Sequence, residues 1–164
     1  MMPVLPEVLQ PDLKVVFCGT AFGPRSAQVK AYYAGRGNYF WDILFRVGLT
    51  QRKLEPHEYR EVLRYGIGLT NIAPQRIGLD NTLRKSDFDA AGLLAQMEQY
   101  RPSVLAFNGK RGAQELWGRR VDYGLQAEMV GATRVFVLPS TSGAARGFWD
   151  ERWWWEVAGM VRGM

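Results

Sequence analysis

Cysteine and histidine are nearly missing from this sequence. Of 164 residues one is cysteine and one is histidine, which excludes an internal disulfide and a cysteine-based metal cluster. The lone thiol, Cys18, falls inside an apolar run, as a packed residue does, and His57 falls among charged neighbours, as a solvated one does. No apolar run approaches the ~18 residues of a membrane-spanning helix. The opening Met1-Met2-Pro3-Val4-Leu5-Pro6-Glu7 lacks a basic stretch followed by an apolar block, so no secretory leader is expected. The expected setting is cytoplasmic, beside the nucleoid in a bacterium. Neither G-x-x-x-x-G-K-[ST] nor G-x-G-x-x-G follows a strand, which argues against a nucleotide-binding domain built on a phosphate loop. Internal repeats and linkers are absent as well.

What is present describes a globular chain. Apolar residues make up 47% and the net charge is +5, so one domain with a full core and an anionic partner are expected. Residues 1–12 carry three prolines and read as an irregular surface segment; residues 13–164 read as the domain.

Strands are expected at Leu13–Cys18, Ile67–Ile72, Ser103–Asn108, Glu128–Val130 and Arg134–Leu138. Helices are expected from Asn38 to Val47, from Pro56 to a stop at Gly66, from Ser86 to Tyr100, from Lys110 to Trp117 and from Asp150 to Val161. In the last helix Trp149, Trp153, Val157 and Met160 are assigned to the inner face, with Trp154 or Trp155 outside. Strands alternating with helices give an α/β fold: a central, mainly parallel β-sheet flanked by helices. The intervals 19–37 and 73–85 read as long loops, which inside compact domains are usually functional.

The chain is organised around Val15-Val16-Phe17-Cys18-Gly19-Thr20-Ala21-Phe22-Gly23. A short buried strand ends abruptly between two glycines that let another molecule approach the backbone. By spacing alone this is either a binding loop at a strand's carboxyl edge or an ordinary strand-to-loop turn.

Five blocks, taken together and in order, are more specific. Val15–Gly23 is similar to VVFCGINPG. Tyr33-Ala34-Gly35-Arg36-Gly37-Asn38-Tyr39-Phe40-Trp41 is similar to Y-x-G-x-G-N-x-F-W, and Gly68-Leu69-Thr70-Asn71 to G-[LVF]-T-[NK]. Phe107-Asn108-Gly109-Lys110 and Leu138–Gly143 with Arg146 complete the set. The chain resembles the mismatch-specific uracil-DNA glycosylases, the family that includes the thymine-DNA glycosylases, from about Leu13 to Val161.

The resemblance implies a uracil-DNA glycosylase-like fold. It also implies excision of uracil, preferentially opposite guanine in double-stranded DNA, by a monomer with no metal or organic cofactor. Such an enzyme must flip the nucleotide out of the stack. By resemblance Tyr33 stacks on the flipped base, and the backbone near Thr20, Ala21, Phe22 and Tyr33 faces it. Ser26 stands where uracil-preferring members carry serine, which implies exclusion of the thymine methyl. Ser142, Gly143 and Ala144 lie in the loop that fills the vacated stack, with Arg146 reaching the partner strand. Ala144 is smaller than the leucine usual at the tip in bacterial members. Lys110 and Arg111, at a helix start, read either as phosphate contacts or as solvated side chains.

The main departure is Ala21, where the family carries the asparagine that positions the attacking water. A methyl group cannot hold water, so another residue must, or the protein is a lesion or abasic-site binder on the same fold. The sequence offers Asp87 and Asp89, whose other reading is favourable placement at a helix N-terminus, and Asn71, at a family pocket position. The fastest uracil glycosylases have a histidine in the 140 region; Ser140 stands there, so modest turnover is expected.

Overall fold

A computed structural model describes residues 2–164; Met1 lies outside them. Five strands, β1 (Val15–Gly19), β2 (Ile67–Asn71), β3 (Val104–Asn108), β4 (Gly124–Leu125) and β5 (Arg134–Leu138), form one sheet in the order β2-β1-β3-β5-β4. All neighbours pair in parallel except β4 and β5. The apolar runs that predicted strands are buried on both faces, as parallel strands between helical layers must be. One face carries Val15, Phe17, Leu69, Ala106 and Phe136. Against it pack α2 (Phe40–Arg46), a 3-10 helix at Pro56–Tyr65 and α5 (Glu151–Arg162). Val16, Cys18, Leu105, Phe107 and Val137 face α3 (Ala90–Tyr100) and α4 (Lys110–Trp117) on the other side.

Several expectations need correcting. The 19–37 interval contains a short helix, α1 (Pro24–Val29). The third long helix begins at Ala90, because Asp89 caps it by accepting the Gly92 N–H at 2.9 Å. No strand forms at 128–130: Val130 closes only a tight turn onto Thr133, and the antiparallel edge strand is Gly124–Leu125 instead. Trp154 is fully buried and stacks on Phe17 at 5.5 Å, while Trp155 is 42% exposed. The inner face of α5 is therefore Trp154, Val157, Ala158 and Val161. The proline-rich start does not merely run over the surface. Leu5 and Val8 are buried, and Val8 exchanges backbone bonds with Leu69 at 2.8 and 2.9 Å, which covers the open edge of β2.

Candidate active site

The chain leaves β1 toward β2 on one side of the sheet, and β3 lies on the other. Their carboxyl ends thus make the switch point at which open α/β sheets bind ligands. Gly19, Asn71 and Asn108 end β1, β2 and β3 there. Gly19 pairs in register with Asn71. A Cβ on Gly19 would stand 2.5 Å from Asn71 Oδ1 and 3.0 Å from the Tyr33 hydroxyl, so only glycine admits both side chains. Asn71 is 8% exposed.

Tyr33 is aimed at this point by its own backbone. Its φ of +54° is left-handed, a conformation uncommon outside glycine. The turn is held by Ala34 N–H donating to Ser26 Oγ at 3.0 Å and Trp41 Nε1–H donating to the Tyr32 carbonyl at 3.0 Å. Ser26 is buried and its hydroxyl is engaged in that bond; its visible role is shaping the turn. One face of the Tyr33 ring stacks on Phe40, with centroids 4.0 Å apart. The hydroxyl is buried and has no hydrogen-bond partner. Burial pushes the phenol well above its ordinary pKa, and the neighbouring Asn108 side chain opposes the shift without closing a bond of good geometry.

A second stretch lies across the first loop. Phe22 N–H donates to the Arg76 carbonyl at 3.1 Å, and Gly78 N–H to the Phe22 carbonyl at 2.9 Å. Phe22 is itself a core residue against Tyr32, so its side chain packs the loop. The Thr20 hydroxyl donates to Asp80 Oδ1 in a very short bond. Thus a carboxylate, which the sequence reading passed over, stands one residue from Ala21. Arg111 holds it there: its guanidinium donates to the carbonyls of Asp80 at 2.8 Å and Leu83 at 3.3 Å, and pairs with Glu115 at 3.1 Å. The Arg111 side chain is thus engaged within the protein and not simply solvated. Lys110 likewise has an internal partner, the Tyr123 ring, 4.4 Å from its ammonium.

The two carboxylates proposed from the sequence are engaged locally. Asp87 accepts the Arg84 N–H at 2.8 Å with one oxygen and pairs with Arg76 at 2.7 Å with the other. These contacts, the Arg84 bond first, hold its carboxyl below the usual range. Asp89 spends its side chain on the α3 cap. Asp80 has only Thr20 on its carboxylate, with no cation paired to it among the described residues.

The third component is the loop after β5. Asn108 locks it through paired bonds: its Nδ2 donates to Thr141 Oγ1 at 2.9 Å and its Oδ1 accepts the Thr141 N–H at 3.0 Å. Tyr39 N–H donates to the Thr141 carbonyl at 2.9 Å. Ser142 caps a 3-10 turn, Gly143–Phe148, by accepting the Ala144 N–H at 3.2 Å. A cleft of about 330 Å³ lies between the Gly37–Tyr39 segment and this loop, with Arg146 and Trp149 on its wall. Gly143, Ala144 and Arg146 are exposed. So is Phe148, at 73%, an aromatic that sequence periodicity could not separate from a core residue.

Residues 6–158 match the family model of the uracil DNA glycosylase superfamily. The chain belongs to that superfamily. A solved relative is the solution NMR structure of a protein from Methanosarcina acetivorans provisionally assigned as a uracil DNA glycosylase. It superposes with a TM-score of 0.66 at 22% identity, covering 97% of this chain and 95% of that one; at that identity the likeness speaks for the fold. Superfamily membership supports DNA glycosylase activity in general. A glycosylase of this superfamily needs a recess for a base, a group that readies water and a surface that holds opened DNA. In this chain Gly19, Asn71 and Tyr33 converge at the ends of β1 and β2, Asp80 stands beside Thr20, and the 139–148 loop borders the cleft.

Proposed function

We propose that this protein excises uracil from double-stranded DNA, preferentially opposite guanine, as a mismatch-specific monomeric glycosylase, and that Asp80 does the work of the asparagine absent at Ala21. The observation that carries the reading is the Asp80 carboxylate held by the Thr20 hydroxyl at the end of β1. The nucleotide swings out of the duplex, at a cost of a few kcal/mol that is lowest at a mismatch. Asn71 offers an amide to the edge of the base. The second Asp80 oxygen aligns water against the anomeric carbon and stabilises positive charge on the sugar, as carboxylates do in glycoside hydrolysis. As the bond to nitrogen breaks, the electron pair leaves with the base, the water oxygen bonds to the anomeric carbon, and the water's proton passes to Asp80 and from there to the base anion. Backbone N–H groups near Thr20, Ala21 and Tyr33 would meet the resulting anion.

The deciding assay is release of free uracil from a duplex with one G·U pair, compared with A·U, G·T and single-stranded substrates. Release is expected from G·U above A·U, with little or none of thymine; equal release of thymine would contradict the uracil preference. The competing reading, a lesion or abasic-site binder, rests on Ala21. Tight binding to an abasic duplex with no base release would establish it.

Phe148 supplies bulk beside the small tip residue Ala144. A side chain 73% exposed beside a cationic loop suits insertion into a base stack. Phe148→Ala is expected to slow release from the G·U duplex by about tenfold and to leave a single-stranded substrate unaffected. Equal slowing on both would place Phe148 outside the duplex contact.

A further inference from the structure

We infer that the Tyr33 hydroxyl reads the edge of the captured base, selecting bases that present a carbonyl on each side of a ring N–H. This rests on the glycosylase reading above. Buried polar groups are almost always paired, and an unpaired one in a native fold calls for an explanation. Among the described residues this phenol is the one buried side-chain polar atom without a partner. It is not there by accident of packing. Its backbone is held left-handed, its ring is fixed on Phe40, and its oxygen converges with Asn71 on the one glycine that leaves both room.

The Asn71 amide can satisfy two adjacent edge positions, accepting from a ring N–H and donating to one carbonyl. Uracil has a second carbonyl flanking that N–H. The Tyr33 hydroxyl is the donor for it, and the bound base is the acceptor the phenol lacks. A 6-oxopurine such as hypoxanthine presents one carbonyl, the N–H and then a C–H, leaving the phenol unsatisfied. Xanthine restores the second carbonyl. Tyr33 is therefore a specificity-determining residue that meets the base edge through its hydroxyl, in the plane of its ring, and not a surface stacked on the base face.

Tyr33→Phe keeps the ring and removes only the hydroxyl. It is expected to lower the single-turnover rate on uracil by about tenfold, and any rate on xanthine with it, while any rate on hypoxanthine stays unchanged. Binding to a duplex carrying non-cleavable 2′-fluoro-deoxyuridine opposite guanine should weaken by a similar factor. Melting temperature should rise by about 2–4 °C, because a buried unpaired group is gone. An unchanged uracil rate and unchanged analogue binding would overturn the inference. So would equal losses on uracil and hypoxanthine, which would leave the ring as a stacking surface alone. If the wild-type protein neither releases uracil nor prefers the analogue duplex over a matched one, the glycosylase reading fails instead.

Discussion

Asp80→Ala is expected to slow uracil release by about 10²–10⁴-fold in single turnover, with the melting temperature within about 2 °C of wild type. The stability expectation follows from how the loop is held. Arg111 grips the carbonyls of Asp80 and Leu83, and Phe22 pairs by backbone bonds with Arg76 and Gly78. None of these contacts uses the Asp80 side chain. The rate expectation follows from Ala21, whose methyl cannot orient water. Asp80→Asn should fall between wild type and Asp80→Ala, since an amide can align water without the charge that steadies a cationic sugar. The sharpest form restores the missing group: Ala21→Asn placed in Asp80→Ala should recover part of the lost rate. A wild-type rate in Asp80→Ala would remove the carboxylate from the reaction. Full activity in Asp87→Asn and Asp89→Asn is expected alongside, because the structure commits both side chains elsewhere.

Gly19→Ala is the second large effect. The backbone there is ordinary strand, so the residue itself meets no conformational strain. The added methyl would sit 2.5 Å from Asn71 Oδ1 and 3.0 Å from the Tyr33 hydroxyl, and both side chains must withdraw. Losing the aim of a base-reading amide costs about 1–3 kcal/mol, a drop of about ten- to a hundredfold in kcat/KM. Overpacking of this kind destabilises by about 1–3 kcal/mol, which a melting curve resolves separately. The analogue duplex should bind more weakly by the same factor as kcat/KM falls. Unaltered kcat/KM in a folded Gly19→Ala protein would show that the base is not read by Asn71 and Tyr33 at this strand end.

Much of the fold was legible in the residues. Four apolar runs ending at Cys18, Ile72, Asn108 and Leu138 declared parallel strands, since a strand covered on both faces has no polar side to show. Lys110–Trp117 follows from a glycine at each end. The edge strand was misplaced because Gly124–Leu125 spans two residues and carries no alternation to detect. Trp153, Trp154 and Trp155 are indistinguishable by composition. Only the angle at which α5 meets the sheet puts Trp154 on Phe17 and leaves Trp155 in solvent.

The sequence by itself determined the layered α/β sheet, the glycine at the strand end, the aromatic at Tyr33 and the missing amide at Ala21, because each is a local property of a short run. Which acid stands beside that gap was decided only in three dimensions. Asp80 lies 60 residues from Thr20 along the chain and belongs to no motif. It arrives because backbone bonds and the Arg111 guanidinium fold one loop over another. Asp87 and Asp89, equally acidic in the sequence, are drawn away by an arginine and a helix end. Side-chain chemistry can be read residue by residue, but the partner each charge finds depends on long-range contacts that a linear chain does not display.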